Sequence, residues 1–187
     1  RDLKLENVLL TAAGVVKVID FGLSHVYPRS ASGEIDRSRA LKDECGSKSY
    51  AAPEILAKRG YDGYAADMWS LGVCLFAMLS GFFPLDEATP NDWRFGKMVE
   101  SQLSSRSTTA AIYSWYKRCS AHLSVEVVHL LDSMLRLDPA KRAAMAEVRE
   151  HPWVRDRKFG AAGAAADQGS YPSAELVGDD APAYRGF

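Results

Sequence analysis

Cysteine is scarce in this 187-residue chain, which has three, at positions 45, 74 and 119. An odd, widely spaced set supplies neither a disulfide framework nor the paired ligands of a structural zinc site. It suits a reducing compartment, so a cytoplasmic location is expected, without excluding the nucleus. An excess of one charge is lacking as well. Lys and Arg total 23 against 24 Asp and Glu, a net charge of −1, so nothing overall draws the chain toward nucleic acid or an anionic membrane. The most apolar run, Met68 to Leu79, is shorter than the roughly 20 residues a bilayer requires, and reads as a buried core helix. No signal peptide opens the chain, and its first residue is Arg1 rather than Met, so a fragment is expected. The four histidines, at 25, 122, 129 and 151, have no metal-ligand spacing and are expected to be structural or exposed. A composition 47% hydrophobic and 25% charged excludes collagen-like, coiled-coil and wholly disordered chains. The length suits one domain or two small ones.

Short aliphatic runs at Val8-Leu9-Leu10 and Val15-Val16-Lys17-Val18 flank Thr11-Ala12-Ala13-Gly14. This predicts a hairpin with a four-residue loop, Gly14 supplying a positive φ. Phe21 to Ala51 is polar and aperiodic, and so long a connection in a compact domain is usually functional or mobile. From Pro53 onward the pattern turns helical. Met68 to Ser80 is apolar nearly all round, as in a helix buried on every side. Asp92 to Ser104 is a weaker amphipathic candidate, Ser124 a candidate N-cap for a helix over Val125 to Arg136, and Ala143 to Glu150 a last helix stopped near Pro152. Gly160 to Phe187 is dominated by Ala, Gly, Asp and Pro. It buries too little apolar surface to offset its ordering entropy, so a disordered tail is expected.

The chemistry concentrates at the start. Asn7 enters the first hairpin strand and Asp20 leaves the second, so an antiparallel hairpin brings both to one end. An amide and a carboxylate are hard oxygen ligands that suit Mg²⁺, which takes few protein ligands and fills its shell with water and phosphate oxygens. Asp2 and Lys4 lie on the loop just before. A carboxylate and an ammonium beside a metal–phosphate cluster form a phosphoryl-transfer constellation.

These residues resemble a known family. Arg1-Asp2-Leu3-Lys4-Leu5-Glu6-Asn7, Asp20-Phe21-Gly22, Ala52-Pro53-Glu54, Asp67-Met68-Trp69-Ser70-Leu71-Gly72 and Arg142 occur in the order of the eukaryotic protein kinase signature. The resemblance covers about residues 1–154. It implies a mainly α fold, the helical C-terminal lobe of a kinase with a short β-hairpin and the N-terminal lobe absent; the disordered Ala/Gly/Pro-rich tail read from composition follows at 155–187. It implies a serine/threonine protein kinase that transfers the γ-phosphate of ATP, with Mg²⁺, to protein substrates. Asp2 would orient the substrate hydroxyl and accept its proton, and Lys4 would steady the γ-phosphate. Asn7 and Asp20 would hold Mg²⁺, and Leu9 would lie under the adenine. Ser47 matches the residue that contacts Asp2 and Lys4 near the substrate, and Glu6 is a candidate for attracting a basic substrate residue. Asp67 would hold the catalytic-loop backbone, and Glu54 and Arg142 would form a buried ion pair, all three in structural roles.

Leu41 to Glu54 and Met78 to Asp86 look most like the calcium/calmodulin-dependent and AMP-activated kinase group. In the AMP-activated kinases a phosphorylatable Thr aligns with Asp43, and its phosphate pairs with the arginine before the catalytic Asp, here Arg1. Asp43 is a candidate to supply part of that charge; the other reading is that Asp43 and Glu44 are solvated loop charges. The Gly-rich loop, the strand lysine and its partner glutamate do not occur in the sequence. The expected partner is accordingly the missing N-terminal lobe, besides protein substrates. The alternative is a non-catalytic, pseudokinase-like scaffold or a truncated product.

Overall fold

The computed structural model describes residues 1–156. The expected disordered tail lies outside the described residues. The described chain is mostly helical, with one two-stranded sheet.

A 3₁₀ turn at Leu5–Asn7 leads into β1 (Val8–Leu10), which pairs antiparallel with β2 (Val16–Val18) in the register Val8↔Val18, Leu9↔Lys17, Leu10↔Val16. The connection has five residues rather than the expected four. Val15 belongs to the turn, its carbonyl accepting from Thr11 N (2.9 Å) and its N–H donating to Thr11 Oγ1 (3.0 Å). Gly14 supplies the left-handed residue at φ +77°.

The long segment from Phe21 to Ala51 has no helix or strand, only isolated bridges Arg29↔Ile35 and Leu41↔Tyr61. Hydrogen bonds fasten it to the longest helix of the fold. Tyr27 Oη accepts from Gly63 N (2.8 Å), and Tyr50 O accepts from Ser70 Oγ (2.8 Å). Helix α1 (Pro53–Leu56) opens with proline at a position where no N–H is needed.

Helix α2 (Gly63–Ser80) is the axis of the fold. It starts five residues earlier than the apolar run predicts, because Asp62 caps it by accepting from Tyr64 N. Gly81, at φ +73°, ends it. At 18 residues it is long and apolar enough to cross a membrane by length and composition alone, but half of it is buried within the fold. Trp69, Val73 and Phe76 lie in the main core with Ile55, Ile112, Leu131 and Leu135. The expectation of burial on every side fails at Met78, which is 63% exposed.

Helices α3 (Trp93–Leu103), α4 (Thr108–Trp115) and α5 (Val125–Met134) come next, each begun by a side-chain cap from Asp92, Ser107 and Ser124. A 3₁₀ turn at Pro139–Lys141 precedes α6 (Met145–Glu150) and α7 (Pro152–Arg155). Pro152 does end α6, as predicted, but it also serves as the first residue of another helix. His151, between the two, stacks on His129 of α5 with Nε2 3.0 Å from His129 Nδ1.

Candidate phosphoryl-transfer site

The site is built where the loop 1–7 meets the glycine turn of the long segment. Gly46 has φ +90°, and a Cβ there would overlap the carbonyl oxygen of Arg1. Only glycine lets the two backbones come this close. The approach delivers Ser47 to Asp2. Ser47 N donates to Asp2 Oδ1 at 2.8 Å, and Lys4 Nζ donates to Asp2 Oδ2 at 2.8 Å and to Ser47 Oγ at 3.0 Å. Asp2, Lys4 and Ser47 thus form a closed triangle, in which Ser47 meets Asp2 through its backbone N–H and Lys4 through its hydroxyl.

These contacts set the electrostatics. Burial pushes the Asp2 carboxyl up, but hydrogen bonds from Lys4 and Ser47 outweigh it and hold the group below the usual carboxylate range. The bond to Asp2 raises the Lys4 ammonium, with Glu6 and Asp20 adding to the effect. Both groups stay charged at neutral pH.

The hairpin brings Asn7 and Asp20 to the same end. Ile19 N donates to Asn7 O at 2.9 Å, which puts Asp20 one residue beyond Asn7's strand partner. Asn7 is buried, and its Nδ2 donates to Asp2 O at 3.0 Å. That bond fixes the sense of the amide and leaves its oxygen for another partner. Asp20 adopts the left-handed region, at φ 60°, and its Oδ1 accepts from Gly22 N at 3.3 Å. A non-glycine residue held there signals a constrained backbone. Asp2 and Asp20 line one cleft of about 230 Å³, with Asp67 on its wall. The donor set, an amide oxygen and a carboxylate, fits a hard divalent cation such as Mg²⁺.

The remaining predicted residues fall around this centre. Asp67 Oδ1 lies 3.2 Å from the main-chain nitrogen of Arg1, which puts this α2 carboxylate beside the start of the loop. Glu6 Oε2 accepts from Tyr50 Oη at 3.1 Å, and burial and then this carboxylate push the Tyr50 phenol up to about 12. Leu9 lies in the middle of β1, half exposed and away from the Asp2 cleft. Glu54 and Arg142 form a buried two-point pair at 2.6 and 3.0 Å, and Arg142 also donates to Ala65 O and Arg136 O.

Arg1 ties three segments together. Its Nε donates to Leu23 O (2.7 Å), beyond Asp20-Phe21-Gly22, and its Nη1 donates to Asp43 Oδ2 (3.0 Å) and Tyr61 Oη (3.3 Å). Tyr61 Oη in turn donates to Asp43 O at 2.9 Å. Sequence reasoning missed Tyr61. The phenol comes after a Gly in a polar stretch, and only the Leu41↔Tyr61 bridge brings it to Asp43.

Residues 1–154 match the family described as Protein kinase domain. Among curated proteins, the chain is 39% identical over 155 residues to CBL-interacting protein kinase 30 of Oryza sativa subsp. japonica, covering 83% of this chain and 28% of that protein. It is 35% identical over 158 residues to the probable serine/threonine-protein kinase MARK-A of Dictyostelium discoideum, covering 84% and 13%. It is 35% identical over 154 residues to protein kinase kin1 of Schizosaccharomyces pombe, covering 82% and 15%. The chain thus spans less than a third of the length of these relatives.

Proposed function

This chain belongs to the protein kinase domain family, in the serine/threonine group related to calcium/calmodulin-dependent kinases, and from that premise we propose that residues 1–154 carry the phosphoryl-transfer centre of an enzyme that moves the γ-phosphate of MgATP to Ser or Thr hydroxyls of proteins. The observation that carries this reading is the Asp2–Lys4–Ser47 triangle with Asn7 and Asp20 beside it.

Asp2 remains an ionised acceptor at neutral pH. A carboxylate of lowered basicity is a poor base for early deprotonation. It orients the substrate hydroxyl by accepting its hydrogen bond and takes the proton late, which suits a loose transition state with little demand for early proton removal. Lys4, held against Asp2 and Ser47, keeps a fixed positive charge where the transferring phosphoryl group would develop its negative charge. Asn7 and Asp20 would hold Mg²⁺, which supplies neutralisation of phosphate charge when bound. Asp67 would position the loop from beside Arg1's main-chain nitrogen, and Arg1 would position it through its guanidinium bonds to Leu23, Asp43 and Tyr61. Leu9 would lie under the adenine ring. Leu9 and Phe21 are 49% and 68% exposed, and this uncovered apolar surface supports docking of a further part of the kinase domain against the hairpin.

The test is an assay of the complete kinase with MgATP and a panel of Ser-, Thr- and Tyr-containing peptides. Transfer to Ser or Thr is expected, and Asp2→Asn should lower kcat by about 10²–10⁴-fold, the usual worth of a positioned proton acceptor. No transfer by the unaltered enzyme, or none lost in the variant, would overturn the reading.

A further inference from the structure

A larger depression lies apart from the Asp2 cleft. It encloses about 880 Å³ between α1, the loop at 88–91, α3 and the link from α5 to the 3₁₀ turn at Pro139–Lys141. Its wall is apolar. Leu56 of α1, Phe95 of α3 and Leu137 of the link line it while packing against the main core, so the wall is anchored. Leu103, at the end of α3, adds a large side chain that is 81% exposed.

The charge of this trough is unbalanced. Arg59, Arg136 and Lys141 all line it. Among the described residues, the Arg59 and Arg136 side chains have no hydrogen-bond or ion-pair partner, and Lys141 reaches only Asp138, at 3.8 Å. The other carboxylate on the wall, Glu54, is already matched by Arg142. Two guanidinium groups are therefore left without carboxylates beside a firm apolar surface. A guanidinium presents a planar fork of donors suited to carboxylates, and it is more weakly hydrated than an ammonium.

We propose that this trough docks an acidic, apolar polypeptide segment of a partner protein, with Asp or Glu carboxylates on Arg59 and Arg136 and aliphatic or aromatic side chains on Leu56, Phe95 and Leu103. The concave shape favours an inserted chain over a lipid surface, which presents headgroups across a broad, nearly flat face. The trough shares no lining residue with the Asp2 cleft, so docking does not depend on the phosphoryl-transfer reading.

Binding of the complete kinase to two ten-residue peptide sets tests it. One set alternates Asp or Glu with Leu or Phe; the other keeps the apolar positions and carries Lys or Arg instead. The acidic set should bind, and the basic set should not. Added salt should weaken binding, since exposed charge contacts are screened. The double variant Arg59→Glu, Arg136→Glu should weaken binding by about tenfold or more. Leu103→Asp, at an exposed position, should also weaken it without lowering the melting temperature. Failure of the acidic set to bind, equal binding of both sets, or unchanged affinity in the double variant would overturn the proposal. So would capture of the chain by anionic phospholipid vesicles with no acidic peptide bound.

Discussion

Arg1 and Asp43, 42 residues apart in the chain, meet through a 3.0 Å hydrogen bond between Nη1 and Oδ2. Arg1 is largely covered, whereas Asp43 is 74% exposed. The same guanidinium reaches Leu23 O and Tyr61 Oη, and Tyr61 Oη donates to Asp43 O. The loop carrying Asp43 is thus fastened to the segment just after Asp20 through one arginine. Burial opposes the Arg1 charge, but the bonds to Asp43 and Tyr61 outweigh it and raise its pKa.

We propose that the encoded carboxylate supplies part of the order that a phosphate would impose, and a weaker order, since it carries about −1 against roughly −1.5 to −2. The complete kinase is therefore expected to have basal activity without an activating kinase. Asp43→Ala should lower kcat while the melting temperature hardly moves, because exposed ion pairs contribute only about 0–1 kcal/mol. A fully active variant, or activity that needs phosphorylation at Ser30, Ser32 or Ser38, would remove the basis for this idea.

Gly46→Ala separates the site from the fold in another way. The substitution adds a Cβ against Arg1's carbonyl and places alanine at φ +90°. Strain of this kind costs on the order of 1–3 kcal/mol, and the loop relieves it by moving Ser47 away from Asp2 and Lys4. The expected result is a fall in kcat larger than the loss of stability would explain. Substitution by Ala with wild-type kinetics would show that Ser47's contacts do not set the rate.

The parts of the site that were legible in the sequence are those set by short-range geometry. A hairpin returns position 20 beside position 7 whatever lies around it, and Ser124 and the apolar stripe behind it announce α5. What was illegible depends on tertiary contact. Helix α4 has Thr108, Thr109 and Ile112, indifferent helix formers, and it holds because Ile112 and Tyr113 are buried and Asp132 of α5 accepts from Thr109 N at 2.7 Å. Tyr61 and the His129–His151 pair were missed for the same reason, since their partners lie far away in sequence. The start of α2 was missed because Gly63 reads as a breaker, whereas the Asp62 cap and Tyr27 Oη hold it in the first turn.

The Glu54–Arg142 pair gives a stability prediction. Arg142's side chain is fully buried, donates to both Glu54 oxygens and stacks 5.2 Å from the Trp69 ring centroid. Glu54→Ala should cost about 3–5 kcal/mol, because it strands the guanidinium rather than merely deleting an attraction. Urea unfolding reads this as a lower midpoint. A change below about 1 kcal/mol, the scale of an exposed pair, would mean that water reaches Arg142.

The last prediction concerns acid. His151 Nδ1 accepts from Trp153 N at 3.3 Å, so in the neutral ring the proton sits on Nε2, which donates to His129 Nδ1 at 3.0 Å. Protonating either ring turns an acceptor into a donor and breaks one of these bonds. Burial, then the charge of His129, holds the His151 pKa below the ordinary histidine value, with Glu126 opposing. The folded state therefore binds fewer protons than the unfolded state between the two values, and stability rises with pH across that window. The contribution is complete above about pH 6.5, the unfolded value, and is lost as pH falls through the lower folded value. Urea midpoints between pH 8 and 5 should fall on the acid side. His129→Ala should flatten that fall and move the His151 titration, tracked by NMR, back toward the ordinary value. An identical pH slope in the variant would show that the two rings touch without being linked in protonation.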